Sequence, residues 1–228
     1  MTKSVGALDV RIDIPSGSGP FPAIVIAPGR NYPMAAPLFE HLTSRMLASG
    51  IAVFRFDWPY FSSDPEKGQP SEGLSDEVAA MRAVVETASA DPNVDPNRLF
   101  VAGKSLGSIA AWAAFRQLPV RAGIFLTPVL SFTNDGEITP CADKHYPHGD
   151  EALRPMLFVS GNEDPLCAKD ELYRFAAGLP GEARIAVIGG GHSLKPPKAS
   201  GEDDDSERNL ALAAQICAGF IADQLARS

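Results

Sequence analysis

The chain has 228 residues and a formal net charge of -8, a length that can fill one hydrophobic core and bury roughly 70% or more of the unfolded surface. Hydrophobic residues are 45% and charged residues 21%, which excludes the disordered class, and an acidic surface with no basic stripe excludes nucleic acid as a partner. No apolar run approaches the roughly 18 uninterrupted residues of a membrane helix, and Cys141, Cys167 and Cys217 have spacings of neither a disulfide framework nor a zinc site.

The first stretch, MTKSVGALDVRIDIP, offers no apolar core for a signal peptide before Asp9, so the expectation is a soluble, cytoplasmic protein with reduced thiols and no membrane partner. Val5 to Ile14 alternates loosely and reads as an edge strand, followed by a turn around Gly17, Gly19 and Pro20. Ala23 to Ala27 is a short buried strand that ends at Pro28-Gly29-Arg30-Asn31. Leu38, Leu42, Met46 and Leu47 recur at helical spacing over Pro37 to Ser49, and Gly50 closes that helix. Ile51 to Phe56 is the next strand, ended by Asp57. The cluster Trp58-Pro59-Tyr60-Phe61 either walls a pocket or simply packs. After a polar loop over 64–73, Ser75, Val78, Met81, Val84 and Val85 mark an amphipathic helix, and Asp91 to Asn97 is a turn.

The stretch Arg98 to Gln117, RLFVAGKSLGSIAAWAAFRQ, carries the chemistry. An apolar run, Leu99 to Ala102, stops at Gly103, and an alanine-rich helical pattern begins past Gly107. One serine, Ser105, is left on a strand-to-helix corner. Gly103-Lys104-Ser105-Leu106-Gly107 fits the G-x-S-x-G nucleophile elbow, in which small residues let a strained turn lift the hydroxyl above the sheet edge.

A serine hydroxyl needs a base to take its proton and a third group to orient that base. Ala122 to Leu126 is a further buried strand, and Thr127 to Arg154 is irregular. Met156 to Val159 is a strand followed by Gly161-Asn162-Glu163-Asp164, a helix spans Ala168 to Ala177, and Arg184 to Ile188 is the last strand. It leads through Gly189-Gly190-Gly191 to His192, the candidate base. Glu163, Asp164 and Asp170 are the acidic candidates for the third group. Asp143, His145 and His148 lack a further ligand at supportive spacing, so no metal is expected. The loop SLKPPKASGEDDDSE carries an acidic run that reads as solvated, and Leu210 to Leu225 is a closing helix. Strands alternating with helices predict an α/β fold, a mostly parallel sheet covered on both faces, with sites at the carboxyl ends of its strands.

The elbow and the order serine, acid, histidine resemble the α/β-hydrolases over nearly the whole length. The Gly103-Lys104-Ser105 elbow together with His192-Ser193-Leu194-Lys195-Pro196 is similar to small, capless, dienelactone-hydrolase-like members and to the testis-expressed-protein-30-like group. A dienelactone hydrolase proper uses cysteine as nucleophile, whereas this elbow carries serine. The resemblance implies a single α/β-hydrolase domain over 1–228, with 128–154 as a short lid-like insertion. It also implies Asp164 as the acid, by the Gly-x-x-Asp pattern, and oxyanion-hole amides from Leu106 and from Arg30 or Asn31. Asp57 takes the place of an aspartate that holds neighbouring loops. Lys104 either neutralises nearby carboxylates or faces an anionic substrate, and the first is expected, since the residue before the serine need not face the pocket.

The expected function is a cofactor-free serine hydrolase acting on a small ester or thioester through an acyl-enzyme, with Ser105 as nucleophile, His192 as base and Asp164 as orienting acid. The alternative is a hydrolase-like scaffold that binds a metabolite or protein partner without turnover.

Overall fold

The computed structural model describes residues 2–5, 8–196 and 203–227. In chain order the strands are β1 (Thr2–Val5), β2 (Leu8–Asp13), β3 (Phe21–Ala27), β4 (Ala52–Phe56), β5 (Val94–Lys104), β6 (Ala122–Leu126), β7 (Ser131–Asn134), β8 (Glu137–Pro140), β9 (Met156–Gly161) and β10 (Ala183–Ile188). The helices are α1 (Pro37–Ala48), α2 (Pro59–Ser63), α3 (Ser75–Ser89), α4 (Leu106–Gln117), α5 (Ala142–His145), α6 (Lys169–Ala177) and α7 (Asp203–Ala226). Eight strands form one sheet in the order β1-β2-β4-β3-β5-β6-β9-β10. The pairs β1 with β2 and β2 with β4 are antiparallel and every other pair is parallel.

The central strands read as continuous apolar runs because both faces of the sheet are covered. Side-chain alternation sorts their residues. Val25, Val101, Phe125 and Phe158 pack with residues of α3, α4 and α6, including Met81, Val84, Trp112, Phe115 and Leu172. Ile24, Ile26, Phe100, Ala102, Ile124, Leu126, Leu157 and Val159 pack with residues of α1 and α7, including Leu38, Leu42, Leu210, Cys217 and Ile221. On the first face the Trp112 ring meets Phe125 at 5.4 Å and Tyr146 at 5.7 Å between centroids, edge-on contacts that each add about 0.5–1.5 kcal/mol beyond burial.

Several expectations are corrected. The strand expected over Val5 to Ile14 is β2, and it is not the sheet edge, because β1 pairs antiparallel outside it. The turn proposed for Asp91 to Asn97 is already strand from Val94 onward, since Phe21 pairs with Val94 before the register shifts. The irregular segment after β6 contains a hairpin, β7 and β8, whose exposed residues have no core-facing periodicity to read. The closing helix starts at Asp203, not Leu210, so residues assigned to the polar loop are already helical. Residues 197–202 of that loop lie outside the described residues.

Within α7, Ser206–Ala226 is long and apolar enough, at a mean hydropathy of 1.2, to cross a membrane. The sequence expectation required an uninterrupted apolar run; averaged over the helix, its alanines and aliphatics outweigh its few charges. Its Leu210, Ala213, Ala214, Cys217 and Ile221 are packed against the sheet.

Candidate active site

Ser105 is the residue between β5 and α4, and its backbone is held at φ 53°, ψ -120°. A side-chain-bearing residue occupies this region only when its surroundings enforce it. Here the enforcement is the closeness of the turn. A Cβ at Gly103 would lie 2.0 Å from the Gly107 carbonyl oxygen, and a Cβ at Gly107 would lie 2.3 Å from that of Pro28. Both contacts are with backbone, so neither neighbour can yield.

The acid and histidine loops are stitched to each other. Asn162 N–H donates to the Ile188 carbonyl at 2.9 Å, Glu163 N–H to that of Gly190 at 3.0 Å, and Gly190 N–H to the Asn162 side chain at 2.8 Å. Gly161 lets them meet, since a Cβ there would lie 2.2 Å from the Gly190 oxygen. From α7, Asn209 Nδ2 donates to the Gly189 carbonyl at 2.5 Å and to that of Leu194 at 3.1 Å.

This stitching brings three of the expected residues together. His192 Nε2 is 2.8 Å from Ser105 Oγ, and His192 Nδ1 is 2.9 Å and 3.0 Å from the two carboxylate oxygens of Asp164. With Nδ1–H donated to the carboxylate, Nε2 is the free acceptor for the serine proton. Asp164 is buried, its Oδ1 also accepts Leu166 N–H at 2.9 Å, and Ser160 Oγ donates to Oδ2 at 3.4 Å. Glu163 is exposed and Asp170 lies on α6; neither bonds to His192. Among the described residues no three His, Cys, Asp or Glu side chains converge as a metal site. His41 pairs with Glu207 at 2.7 Å, and His145 Nδ1 lies 2.9 Å from the Val129 carbonyl oxygen.

The loop after β3 passes beside the serine: a Cβ at Gly29 would be 3.6 Å from that of Ser105. Its two ends are clamped. Trp58 Nε1 donates to the Pro28 carbonyl at 2.9 Å, and its ring is buried in the core. At the other end Met34 N–H donates to Asp57 Oδ1 at 2.7 Å, and the wholly buried Arg55 donates to the Met34 carbonyl at 2.8 Å. Asp57 therefore holds a loop, as the resemblance implied, and burial raises its carboxyl above the usual range against the opposing Met34 bond. The Arg30 guanidinium is turned to Gln69, so only its backbone amide is available to the serine side. Leu106 is the first residue of α4, where an amide has no acceptor inside the helix.

Sequence reasoning missed one contributor and gave another the wrong partner. Tyr146, which is fully buried, bonds through its hydroxyl to Ser108 Oγ at 2.7 Å and accepts Val129 N–H at 2.8 Å, while Ser108 Oγ bonds to the Ser105 carbonyl at 2.5 Å. No motif marks a lone tyrosine in an irregular segment. Lys104 does not meet a carboxylate directly; its ammonium donates to the His192 carbonyl at 3.1 Å and to Thr127 Oγ1 at 3.3 Å. A cavity of about 860 Å³ lies between α5 and α6, with Cys141, Tyr146, Pro147, Phe175 and Leu179 in its lining and none of Ser105, Asp164 and His192.

Fold and corner geometry together define an α/β-hydrolase. Residues 21–222 match the family described as alpha/beta hydrolase domain, and the chain belongs to it. The uncharacterized protein Rv2307c of Mycobacterium tuberculosis is 30% identical over 156 residues, 63% of this chain; the match covers 54% of that protein, so the chain spans about half the length of the curated relatives it matches. The fold is shared with dienelactone hydrolase from Anabaena variabilis, at TM-score 0.74 and 17% identity over 98% of this chain and 95% of that one. It is also shared with the ferulic acid complex of Est1E from Butyrivibrio proteoclasticus, at TM-score 0.73 and 17% identity over 99% of both chains. The segment between β6 and β9 holds a hairpin and short helical turns, which is a capless form of this fold.

Proposed function

We propose that the protein is a serine hydrolase that cleaves a carboxylic ester or thioester of a small substrate through an acyl-enzyme. The observation that carries this reading is the bonded series Ser105 Oγ, His192, Asp164, with the serine in a left-handed backbone state at the start of α4. Ser105 Oγ passes its proton to His192 Nε2 as it attacks the carbonyl carbon. Asp164 stabilises the imidazolium that forms. The oxyanion is met by the Leu106 amide and by that of Arg30 or Asn31. The imidazolium then protonates the departing alcohol or thiol, and water releases the acid by the same steps in reverse.

Ester or thioester is favoured because such leaving groups need little more than this proton transfer. A small substrate is favoured because the hairpin β7–β8 is exposed on nearly every residue and cannot enclose a long acyl chain. A panel of p-nitrophenyl esters tests the reading. Acetyl and butyryl esters should be hydrolysed with higher kcat/KM than palmitoyl, and Ser105→Ala should abolish turnover. A preference for palmitoyl would overturn the substrate size; hydrolysis of none, or undiminished hydrolysis by Ser105→Ala, would overturn the enzyme and favour a binding scaffold.

A further inference from the structure

Lys104 ends β5, one residue before Ser105, and alternation along the strand sends its side chain to the face that Phe100 and Ala102 occupy. It is 3% exposed. A lysine in such a place costs desolvation that a methionine of similar length would not. Its three ammonium protons have three destinations: the His192 carbonyl at 3.1 Å, Thr127 Oγ1 at 3.3 Å and the face of the Tyr32 ring, 4.8 Å from the centroid. No carboxylate is within bonding distance of it among the described residues, so ion pairing does not account for its presence. The strongest acceptor it meets is the backbone of the residue whose ring must stay aligned with Ser105.

We infer that Lys104 is a positioning residue, a cationic strut from the nucleophile's own strand to the backbone of His192 that keeps Nε2 in line with Ser105 Oγ. This rests on the serine hydrolase reading. The strut has a pH limit. Burial draws the ammonium down to about 8, against the opposing pull of Asp164. Once neutral, the amine still donates to the carbonyl, but a neutral bond is about half as strong as a charge-assisted one. The groups facing Lys104 are Asp164 and His192 from the loops after β9 and β10, Thr127 after β6 and Tyr32 after β3. The Tyr32 phenol is pushed up by burial, which keeps it out of the same range.

The test is the rate of Ser105 modification by a fluorophosphonate between pH 6 and 10, with Ser105→Ala as the blank. The wild type should step down several-fold near pH 8 to a lower plateau. Lys104→Met should be about tenfold slower at pH 7 and show no such step. Lys104→Arg, whose guanidinium stays charged throughout, should recover part of the rate and also lack the step. Melting curves identify any variant that fails to fold, in which case the wild-type profile decides. A rate that does not fall near pH 8, or a step that persists in a folded Lys104 variant, overturns the strut. If the wild type is not labelled at all, the hydrolase reading fails instead. The His192 ring proton resonances then decide the strut: an inflection near pH 8 that Lys104→Met removes supports it, and its absence overturns it.

Discussion

The corner around Ser105 and the segment between β6 and β9 stand side by side, yet they are held by opposite means. At the corner, backbone packs on backbone, and Gly103 and Gly107 have no room for a single added carbon. In the neighbouring segment the hairpin β7–β8 is exposed, and Gly136 at its turn has nothing within 4 Å of where a Cβ would lie. That segment is anchored by a few polar bonds: Leu130 and Thr133 N–H to the Leu166 and Pro165 carbonyls at 2.9 Å and 2.7 Å, Tyr146 to Ser108 and Val129, and Trp112 Nε1 to the Pro147 carbonyl at 3.0 Å. One region is fixed by its glycines and the other by these bonds. The first tolerates no change of shape, while the second tolerates most changes that spare its anchors.

The same substitution in both places gives the largest contrast. Gly103→Ala forces a backbone clash and should cost several kcal/mol, a fall in melting temperature of about 10 °C or more for a chain of this size. Gly136→Ala meets only the strain of a positive φ of 82°, about 1 kcal/mol, or a few degrees. Equal losses at the two sites would erase the distinction.

The anchoring of the second region is tested by Tyr146→Phe. It leaves the Val129 amide buried without its partner and removes one of the two bonds of the Ser108 hydroxyl, at a cost of about 1–3 kcal/mol, measurable as a lower urea midpoint. An unchanged midpoint would mean that the hydroxyl is not an anchor.

On the corner's side, pH adds a test with a definite sign. The Lys104 ammonium is lowered from 10.5 to about 8 by burial, so between those values the unfolded chain holds a proton that the folded one has released. Stability then rises with pH across that window. The wild type should gain on Lys104→Met from about pH 8 to 10.5 in urea unfolding, and a constant difference would contradict the buried charge. The smallest effect is expected for Phe132→Ser, at an exposed hairpin position, within about 0.5 kcal/mol.

Legibility in the sequence follows the same division. The corner could be read because its constraints are local: Gly103, Ser105 and Gly107 lie within five residues, between an apolar strand and an alanine-rich helix. Asp164 and His192 could be read because they lie in loops that directly follow strands, one opened by Gly161 and the other by Gly189 to Gly191; in the sequence, Glu163 and Asp170 are separated from Asp164 only by the resemblance. Tyr146 could not be read, since its partners Ser108 and Val129 are distant in sequence and no spacing relates them. Lys104 was visible as an unusual residue, but its target is a backbone carbonyl, which leaves no trace in side-chain identity. The helical start of α7 was hidden because Asp203 to Ser206 has the composition of a solvated loop.

The central claim is that Ser105 is a nucleophile activated by His192 and Asp164, and covalent labelling by a fluorophosphonate followed by intact mass tests it most directly. The wild type should gain one phosphonyl group, and Ser105→Ala none while keeping its fold. His192→Ala and Asp164→Asn should label slower by a factor on the order of 10³ or more, with the double variant no worse than the slower single one, because the three residues act as a unit. A wild type that stays unmodified, or a Ser105→Ala variant that labels equally well, would contradict the account.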